Sequence, residues 1–211
     1  MNFDRFKLFD ISMPITEDMP VYGGKEWKRP KITVDTDFST GTVYESSVKM
    51  NMHTGTHLDR TRHMIRGGNT IDTLDPKELI TACKVLDLTD VKEKLTEDSF
   101  KNKDIQEGDF ILCKTRNSFE PILEHEFVFL EQSGARYLAE RRIKGIGIDA
   151  LGVERSQPGH ETHLALMKIG AHILEGLRLA DIEEGEYLLI AVPLNIVGAE
   201  AAPVRAVLLR Q

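Results

Sequence analysis

The sequence predicts an α+β protein with a mixed, mainly antiparallel sheet and a few helices. Segments rich in Val, Ile and Leu recur along the 211 residues, and these residue types favour strands. Helical segments are fewer and do not alternate regularly with the strands, which disfavours a doubly wound fold. No Gly-rich loop of the kind that binds nucleotide phosphates opens a helix. Nucleotide binding is therefore not expected.

The apolar segments predict eight strands. In chain order they cover residues 6–12, 31–36, 43–52, 83–88, 109–114, 145–150, 186–196 and 202–209. Three helical segments are also expected. Asp75 followed by Pro76 has the order of an N-cap and a first helical residue. The stretch 131–142 places four residues at helical spacing, and a third helix is expected from Glu161 to Gly170, a residue type that ends helices.

Gly and Pro are evenly distributed, and no linker or repeat interrupts the chain, so residues 1–211 are expected to form one domain. Apolar residues make up 41% and charged residues 29%, an ordinary globular composition. The 27 Lys and Arg against 34 Asp and Glu give a net charge of −7. This sign argues against a nucleic-acid partner and leaves a small molecule as the expected one.

No stretch approaches the ~20 apolar residues of a membrane span, and the first seven residues contain no apolar signal region. We therefore expect a cytoplasmic protein without a membrane partner. The two cysteines, Cys83 and Cys113, both lie in apolar segments that predict strands. They are expected to be reduced thiols in the core.

Three of the seven histidines fall within residues 53–63. His53, His57, Asp59 and His63 all occupy odd positions, so in extended backbone they project to one side. Ten extended residues would span about 33 Å, too far for side chains that share a metal. The chain must bend, and Gly55 is the expected place. Imidazole and carboxylate without thiolate predict a divalent ion such as zinc, manganese or iron(II).

A second group of polar residues follows about a hundred residues later. His160 and His163 are three apart, which does not match H-E-x-x-H and excludes that metalloprotease motif. His163 and the later Glu175 are open to either a structural or a metal-binding role when taken alone. His172 is expected to be structural or near the site without binding metal, and His125 to lie exposed in a loop.

The segment HTGTHLDRTRH at residues 53–63 resembles the H-x-G-T-H-x-D-x-P-x-H signature of the putative cyclase family, which includes bacterial kynurenine formamidase and isatin hydrolases. Weaker similarity runs almost from end to end of the chain, through residues 10–15, 173–177, 186–190 and 203–207. The resemblance implies a swivelling β/β/α-type domain. It also implies a homo-oligomer, a dimer or tetramer, in which residues near the N-terminus complete a neighbour's pocket.

The resemblance further implies two divalent ions, zinc first and manganese as the alternative. Asp59 would bridge the two ions and Glu175 would reach both. The implied metal ligands are His53, His57, Asp59, His163 and Glu175. His63, the last histidine of the signature, would transfer protons instead of binding metal.

Two departures from the family pattern concern the pocket. The usual Pro of the signature is Thr61 here, flanked by Arg60 and Arg62, which either attract a carboxylate or face solvent. The substrate-contacting Trp of the formamidases corresponds to Tyr22, which keeps an aromatic face. His160, close to an implied ligand, is expected in the pocket either as a second substrate contact or as a residue that supports a metal ligand.

The leading hypothesis is a metal-dependent amidohydrolase acting on an arylformamide such as N-formylkynurenine. A metal-activated water would attack the carbonyl, and His63 would carry the proton to the departing amine. One alternative is the opening of a cyclic amide or lactone, as in isatin hydrolase. A second alternative, of another class, is a metal-binding domain without catalysis, in which His63 would have no measurable role.

Overall fold

A computed structural model describes residues 5–121 and 126–210 of the chain. The strands within these residues are β1 Lys7–Asp10, β2 Lys31–Thr36, β3 Glu45–Lys49, β4 His57–Asp59, β5 Ile80–Asp87, β6 Lys94–Leu95, β7 Phe110–Lys114, β8 Phe129–Leu130, β9 Gly145–Ile148, β10 His172–Glu175, β11 Gly185–Ile190, β12 Ala201–Pro203 and β13 Val207–Arg210. The α-helices are α1 Glu97–Phe100, α2 Gln132–Glu140 and α3 Glu161–Lys168. Among the described helices, none is both long and apolar enough to cross a membrane.

Nine strands form one sheet in the order β1-β13-β11-β5-β7-β9-β10-β4-β12. The four central strands, β5, β7, β9 and β10, are parallel, and the other neighbours in the sheet are antiparallel. Antiparallel pairs thus outnumber parallel ones. The predicted α+β class with a mixed, mainly antiparallel sheet and few helices is confirmed.

Most predicted elements are present, with differences at their ends. Residues 31–36 match β2, and the helices expected over 131–142 and from Glu161 correspond to α2 and α3. Asp75 is an N-cap whose carboxylate accepts a hydrogen bond from the Lys77 backbone N–H, but the turn it begins ends at Leu79, where β5 starts. The short strands β4, β6, β8 and β10 were not predicted, and the expected strand 202–209 is divided between β12 and β13.

The central sheet separates two hydrophobic cores. On β7, Ile111 and Cys113 face the core covered by the α-helices, whereas Phe110 and Leu112 face the other core. This alternation follows from the two-residue period of a strand. Cys83 and Cys113 are both buried and unpaired, which confirms the prediction of core thiols.

The sheet is strongly curled. β12 and β13 lie at opposite parts of the strand order, yet only residues 204–206 separate them. Four Cα steps span at most about 14 Å, so the two regions of the sheet must approach each other. The backbone N–H of Ile11 donates to Ala206 O at 3.0 Å, which links β1 to this connection.

Strands β2 and β3 form a separate two-stranded hairpin. Ile32 and Val48 are direct partners, and with Val34 they make one apolar face of the hairpin. The opposite face carries polar residues such as Thr33 and Ser47. Both faces of this hairpin are exposed in the single chain.

Candidate functional site

The segment 53–63 bends at Gly55, where the sequence predicted a bend. Gly55 has φ +68°, a conformation that glycine adopts without strain. The chain then enters β4, which places His57 and Asp59 on the same face. His57 Nδ1 donates to Gly55 O at 2.9 Å, and this fixes the tautomer that leaves Nε2 available as a metal ligand.

β10 brings the second carboxylate beside this strand. Glu175 is the direct cross-strand partner of His57 in the antiparallel β4–β10 pair. At Gly176, with φ +73°, a Cβ would lie 2.2 Å from the carbonyl oxygen of Gly55. Thr56 Oγ1 also donates to Gly176 O at 2.7 Å. The two chain segments therefore cross at a distance that only glycine permits.

The carboxylates of Asp59 and Glu175 each divide their oxygens between different histidines. Asp59 Oδ1 lies 3.0 Å from His53 Nδ1 and 3.5 Å from His57 Nε2, whereas Oδ2 lies 3.5 Å from His163 Nε2. Glu175 Oε2 lies 3.2 Å from His57 Nε2, and Oε1 lies 3.4 Å from His163 Nε2. The donors thus form two adjacent groups that share both carboxylates.

Several of these donor atoms are buried without a hydrogen bond. Among the described residues, His57 Nε2, His163 Nε2 and both Asp59 carboxylate oxygens have no partner in hydrogen-bonding geometry. Leaving such atoms unpaired costs roughly 1–3 kcal/mol each. Nitrogen and carboxylate donors without thiolate match the preferences of zinc and manganese. The cluster therefore fits bound divalent cations.

The electrostatic environment keeps these carboxylates ionised. Burial by itself would raise the pKa of Asp59, but the His163 and His53 imidazoles hold it well below its usual value. The pKa of Glu175 is lowered to about 2, because His163 and His57 outweigh the effects of burial and of the neighbouring Asp59 charge. Both groups are in the form that binds cations.

His63 lies beside the cluster, on the turn that follows β4. Its ring centroid is 4.1 Å from that of His53 and 5.6 Å from that of His163. Its ring nitrogens make no hydrogen bond to the described residues. Burial lowers the pKa of His63 to about 4, so its imidazole is neutral near pH 7.

A cavity of about 300 Å³ opens directly onto the donor cluster. The rings of Tyr22 and His160, both predicted to contact substrate, line it together with the apolar side chains of Met64 and Leu151. Lys25 and Lys28 also face this cavity, which the sequence analysis did not anticipate. The volume and mixed lining are typical of a small-molecule site.

The two arginines of the signature segment are not among the residues that line this cavity. Arg60 Nε donates to Thr70 O at 3.3 Å, and Arg62 is exposed. Thr61, in place of the usual Pro, accepts a hydrogen bond from the Asn69 backbone N–H at 2.7 Å. This contact attaches the turn to the following loop.

Glu154 is a site residue that the sequence analysis missed. It is buried, and its Oε1 lies 3.0 Å from His163 Nδ1 and accepts a hydrogen bond from His160 Nδ1 at 2.6 Å. Its Oε2 accepts the backbone N–H groups of Thr162 and His163. Glu154 therefore holds the start of α3 and orients His163 so that Nε2 faces Asp59 and Glu175.

The remaining histidines lie elsewhere. His172 is buried on β10, and its Nε2 lies 3.0 Å from Glu78 Oε2, away from the donor cluster. This agrees with the expected structural role. The prediction for His125 falls outside the described residues.

Comparison with known proteins gives three consistent results. Residues 9–155 match the family described as putative cyclase. The chain is 30% identical to the kynurenine formamidase of Salinibacter ruber (strain DSM 13855 / M31), over 95% of this chain and 96% of that protein. The structure of a predicted metal-dependent hydrolase from Bacillus stearothermophilus is 48% identical, with a TM-score of 0.90, and the alignment covers 98% of this chain and 99% of that one.

Isatin hydrolase A from Ralstonia solanacearum has the same fold. Its TM-score is 0.85 and its identity 22%, over 99% of this chain and 93% of that chain. At this identity the likeness concerns the fold alone.

Proposed function

Since the chain belongs to the putative cyclase family, we propose that it is a metal-dependent hydrolase of carbon–nitrogen bonds other than peptide bonds, with an arylformamide such as N-formylkynurenine as the leading substrate. The observation that carries this proposal is the buried cluster in which Asp59 and Glu175 each face histidines on two sides, next to a small-molecule cavity. We propose that residues 1–211 form one such domain, since one sheet includes strands from Lys7 to Arg210.

The proposed ligands divide into two sets. His53 and His57 would hold one ion and His163 the other, and Asp59 and Glu175 would reach both. The division of their carboxylate oxygens supports this arrangement. Bound zinc, or manganese in its place, would polarise a carbonyl oxygen and lower the pKa of a coordinated water.

His63 is the proposed proton carrier. Its neutral imidazole lines the cavity beside the donor cluster and is not held by hydrogen bonds to other described groups. It can therefore accept a proton on one ring nitrogen and release it to the departing amine. Tyr22 and His160 are proposed to contact the substrate from the cavity wall.

The test is a metal analysis of the purified protein combined with an assay of N-formylkynurenine hydrolysis before and after chelation. We expect about two ions per chain and activity that returns with zinc or manganese. His63→Ala is expected to keep its metal and lose at least about 100-fold in kcat, whereas Arg62→Ala, on the same turn but exposed, should match wild type.

Other results would change the proposal in defined ways. Two ions with turnover of isatin but not of the formamide would move the substrate class to cyclic amides. Wild-type activity in His63→Ala would remove the proton carrier. Absence of metal after loading would overturn the proposal as a whole.

We also propose that the protein is a homo-oligomer, a dimer or tetramer. The apolar face of the β2–β3 hairpin supports this, because Ile32, Val34 and Val48 are 46%, 47% and 57% exposed in the single chain. A two-stranded hairpin is only marginally stable alone. Packing of this face against a second copy would remove its apolar surface from water.

A further inference from the structure

The cavity contains two lysines that the proposed chemistry does not use. Lys25 and Lys28 come from one tight turn, in which the Lys28 backbone N–H donates to Lys25 O at 2.8 Å. Thr54 Oγ1 donates to Lys28 O at 2.7 Å, so this turn is attached to the segment that carries the proposed metal ligands. Both lysine side chains line the same cavity as His63 and Glu175.

Neither ammonium group has a carboxylate partner within ion-pairing distance among the described residues. Glu26, the one acidic residue of the segment 22–29, pairs with Arg29 at 3.3 Å instead. Lys28 is half-buried, and its Nζ lies 5.6 Å from the ring centroids of both Tyr22 and Trp27. This cation lies close to two aromatic rings at the cavity and forms no ion pair with a described carboxylate.

The carboxylates in the cavity wall accept hydrogen bonds from groups other than these lysines. Glu154 already receives His160 and two backbone N–H groups, and Glu175 accepts the Val153 N–H at 2.6 Å. With two divalent ions bound, the positive charge of the ions would exceed the combined negative charge of Asp59, Glu154 and Glu175. The two lysines therefore add positive charge to a pocket whose carboxylates are already neutralised.

We propose that Lys28 and Lys25 form a carboxylate-binding subsite and that the substrate is an acid anion, with its carboxylate at the lysines and its scissile carbonyl at the donor cluster. This inference rests on the proposed hydrolase function and specifies its substrate class. A carboxylate bound there replaces water around a half-buried ammonium by a charge-assisted hydrogen bond. The aromatic rings of Tyr22 and Trp27 flank the same subsite.

The experiment compares formanilide with the three isomers of formamidobenzoate, which differ from it by one carboxylate. For the metal-loaded wild type we expect at least one isomer to have a kcat/KM tenfold or more above that of formanilide. Lys28→Gln should lose about tenfold of that kcat/KM, mainly through KM, and should lose less for formanilide, so that the preference for the carboxylate shrinks. Lys25→Gln should lose less, and the exposed Lys92→Gln should match wild type.

Calorimetry measures the affinity for aminobenzoates and for aniline, which lacks the carboxylate, and this measurement does not depend on hydrolysis. If neither these formamides nor N-formylkynurenine nor isatin is hydrolysed but Lys28→Gln weakens aminobenzoate binding about tenfold, the hydrolase proposal fails and the subsite stands. If formanilide is the better substrate, or Lys28→Gln leaves both aminobenzoate binding and the preference for the carboxylate unchanged, the subsite is overturned and the hydrolase proposal stands.

Discussion

Glu154 is proposed to support metal binding by orienting the imidazole of His163. One of its oxygens faces the Nδ1 side of that ring, and the other accepts backbone N–H groups at the start of α3. Carboxylates placed behind a metal-binding histidine orient the ring and raise its basicity. Loss of such a partner typically weakens metal binding 10–100-fold.

We therefore predict that Glu154→Gln weakens binding of one of the two proposed ions by about 10–100-fold. The neutral amide presents no negative charge to the His163 ring and is a poorer acceptor for the backbone N–H groups at the start of α3. Competition with a chromophoric chelator measures this affinity. Glu161→Gln, in the first turn of the same helix, is the matched control. Equal affinities in the two variants would contradict the assigned role.

The two cysteines give a pH-dependent prediction. Burial raises the pKa of Cys83 to about 12 and also raises the pKa of Cys113. A thiol in the unfolded chain ionises near pH 8.5, so above that pH the unfolded state loses protons that the folded state keeps. The free energy of unfolding should then fall as the pH rises from about 8.5 towards 12.

Denaturant titrations at a series of alkaline pH values measure this effect. Cys83→Ala should reduce the slope of unfolding free energy against pH, whatever its effect on stability at neutral pH. A slope identical to that of wild type would mean that the Cys83 thiol is not protected by the fold.

The part of the site that could be predicted from the sequence is the set of histidines clustered in one short segment. Three histidines within eleven residues are a local signal, so His53, His57 and His63 stand out without a structure. Glu154 and Lys28 carry no such signal, because a single charged residue in a loop is ordinary. Only the folded chain shows that these side chains face the same cavity.

At the scale of elements, the site depends on two short strands. β4 and β10 together supply His57, Asp59 and Glu175, yet neither was predicted as a strand. β4 has a single apolar residue, Leu58, because its other two positions hold polar groups for the site. A search for apolar segments misses such a strand, since its stability comes from pairing with β10 and β12.

The close approach of Gly176 to Gly55 predicts that one added methyl group strongly lowers the stability of the fold. Gly176→Ala should destabilise the protein by about 3 kcal/mol, because it adds a positive-φ penalty to a clash with Gly55 O. Gly170→Ala is the matched control, with φ +78° but open space around the new methyl group. It should cost only about 1 kcal/mol. Urea denaturation compares the two, and equal losses would show that the crossing relaxes easily.

At the scale of the whole molecule, the curled sheet explains why one predicted strand is divided in two. Residues 202–209 were expected to form one strand, but Pro203 ends β12, which pairs with β4, and Val207 begins β13. Both parts have strand-forming sequences, so local propensity predicts one continuous strand. Which strand each part pairs with depends on the curl of the sheet, and a local sequence pattern does not predict that curl.

The hairpin predicts the assembly state. Val34→Lys places a charge on the apolar face of β2–β3 and should weaken self-association at least about 100-fold, since an unpaired buried ammonium is costly. Thr33→Lys alters the adjacent residue on the polar face and should assemble as wild type does. Light scattering over a concentration series measures both. A monomeric wild type, or equal assembly of both variants, would contradict the proposed interface.

The pairing of β1 with β13 also determines how the fold responds to mechanical force. Lys7 and Arg210 are direct partners in an antiparallel pair, so tension applied between them pulls across one end of that pair. In this geometry the backbone hydrogen bonds break one after another and do not share the load. Force applied at residues 7 and 210 should therefore peel β1 from the sheet at low tension, well before the strands that carry the donor cluster separate.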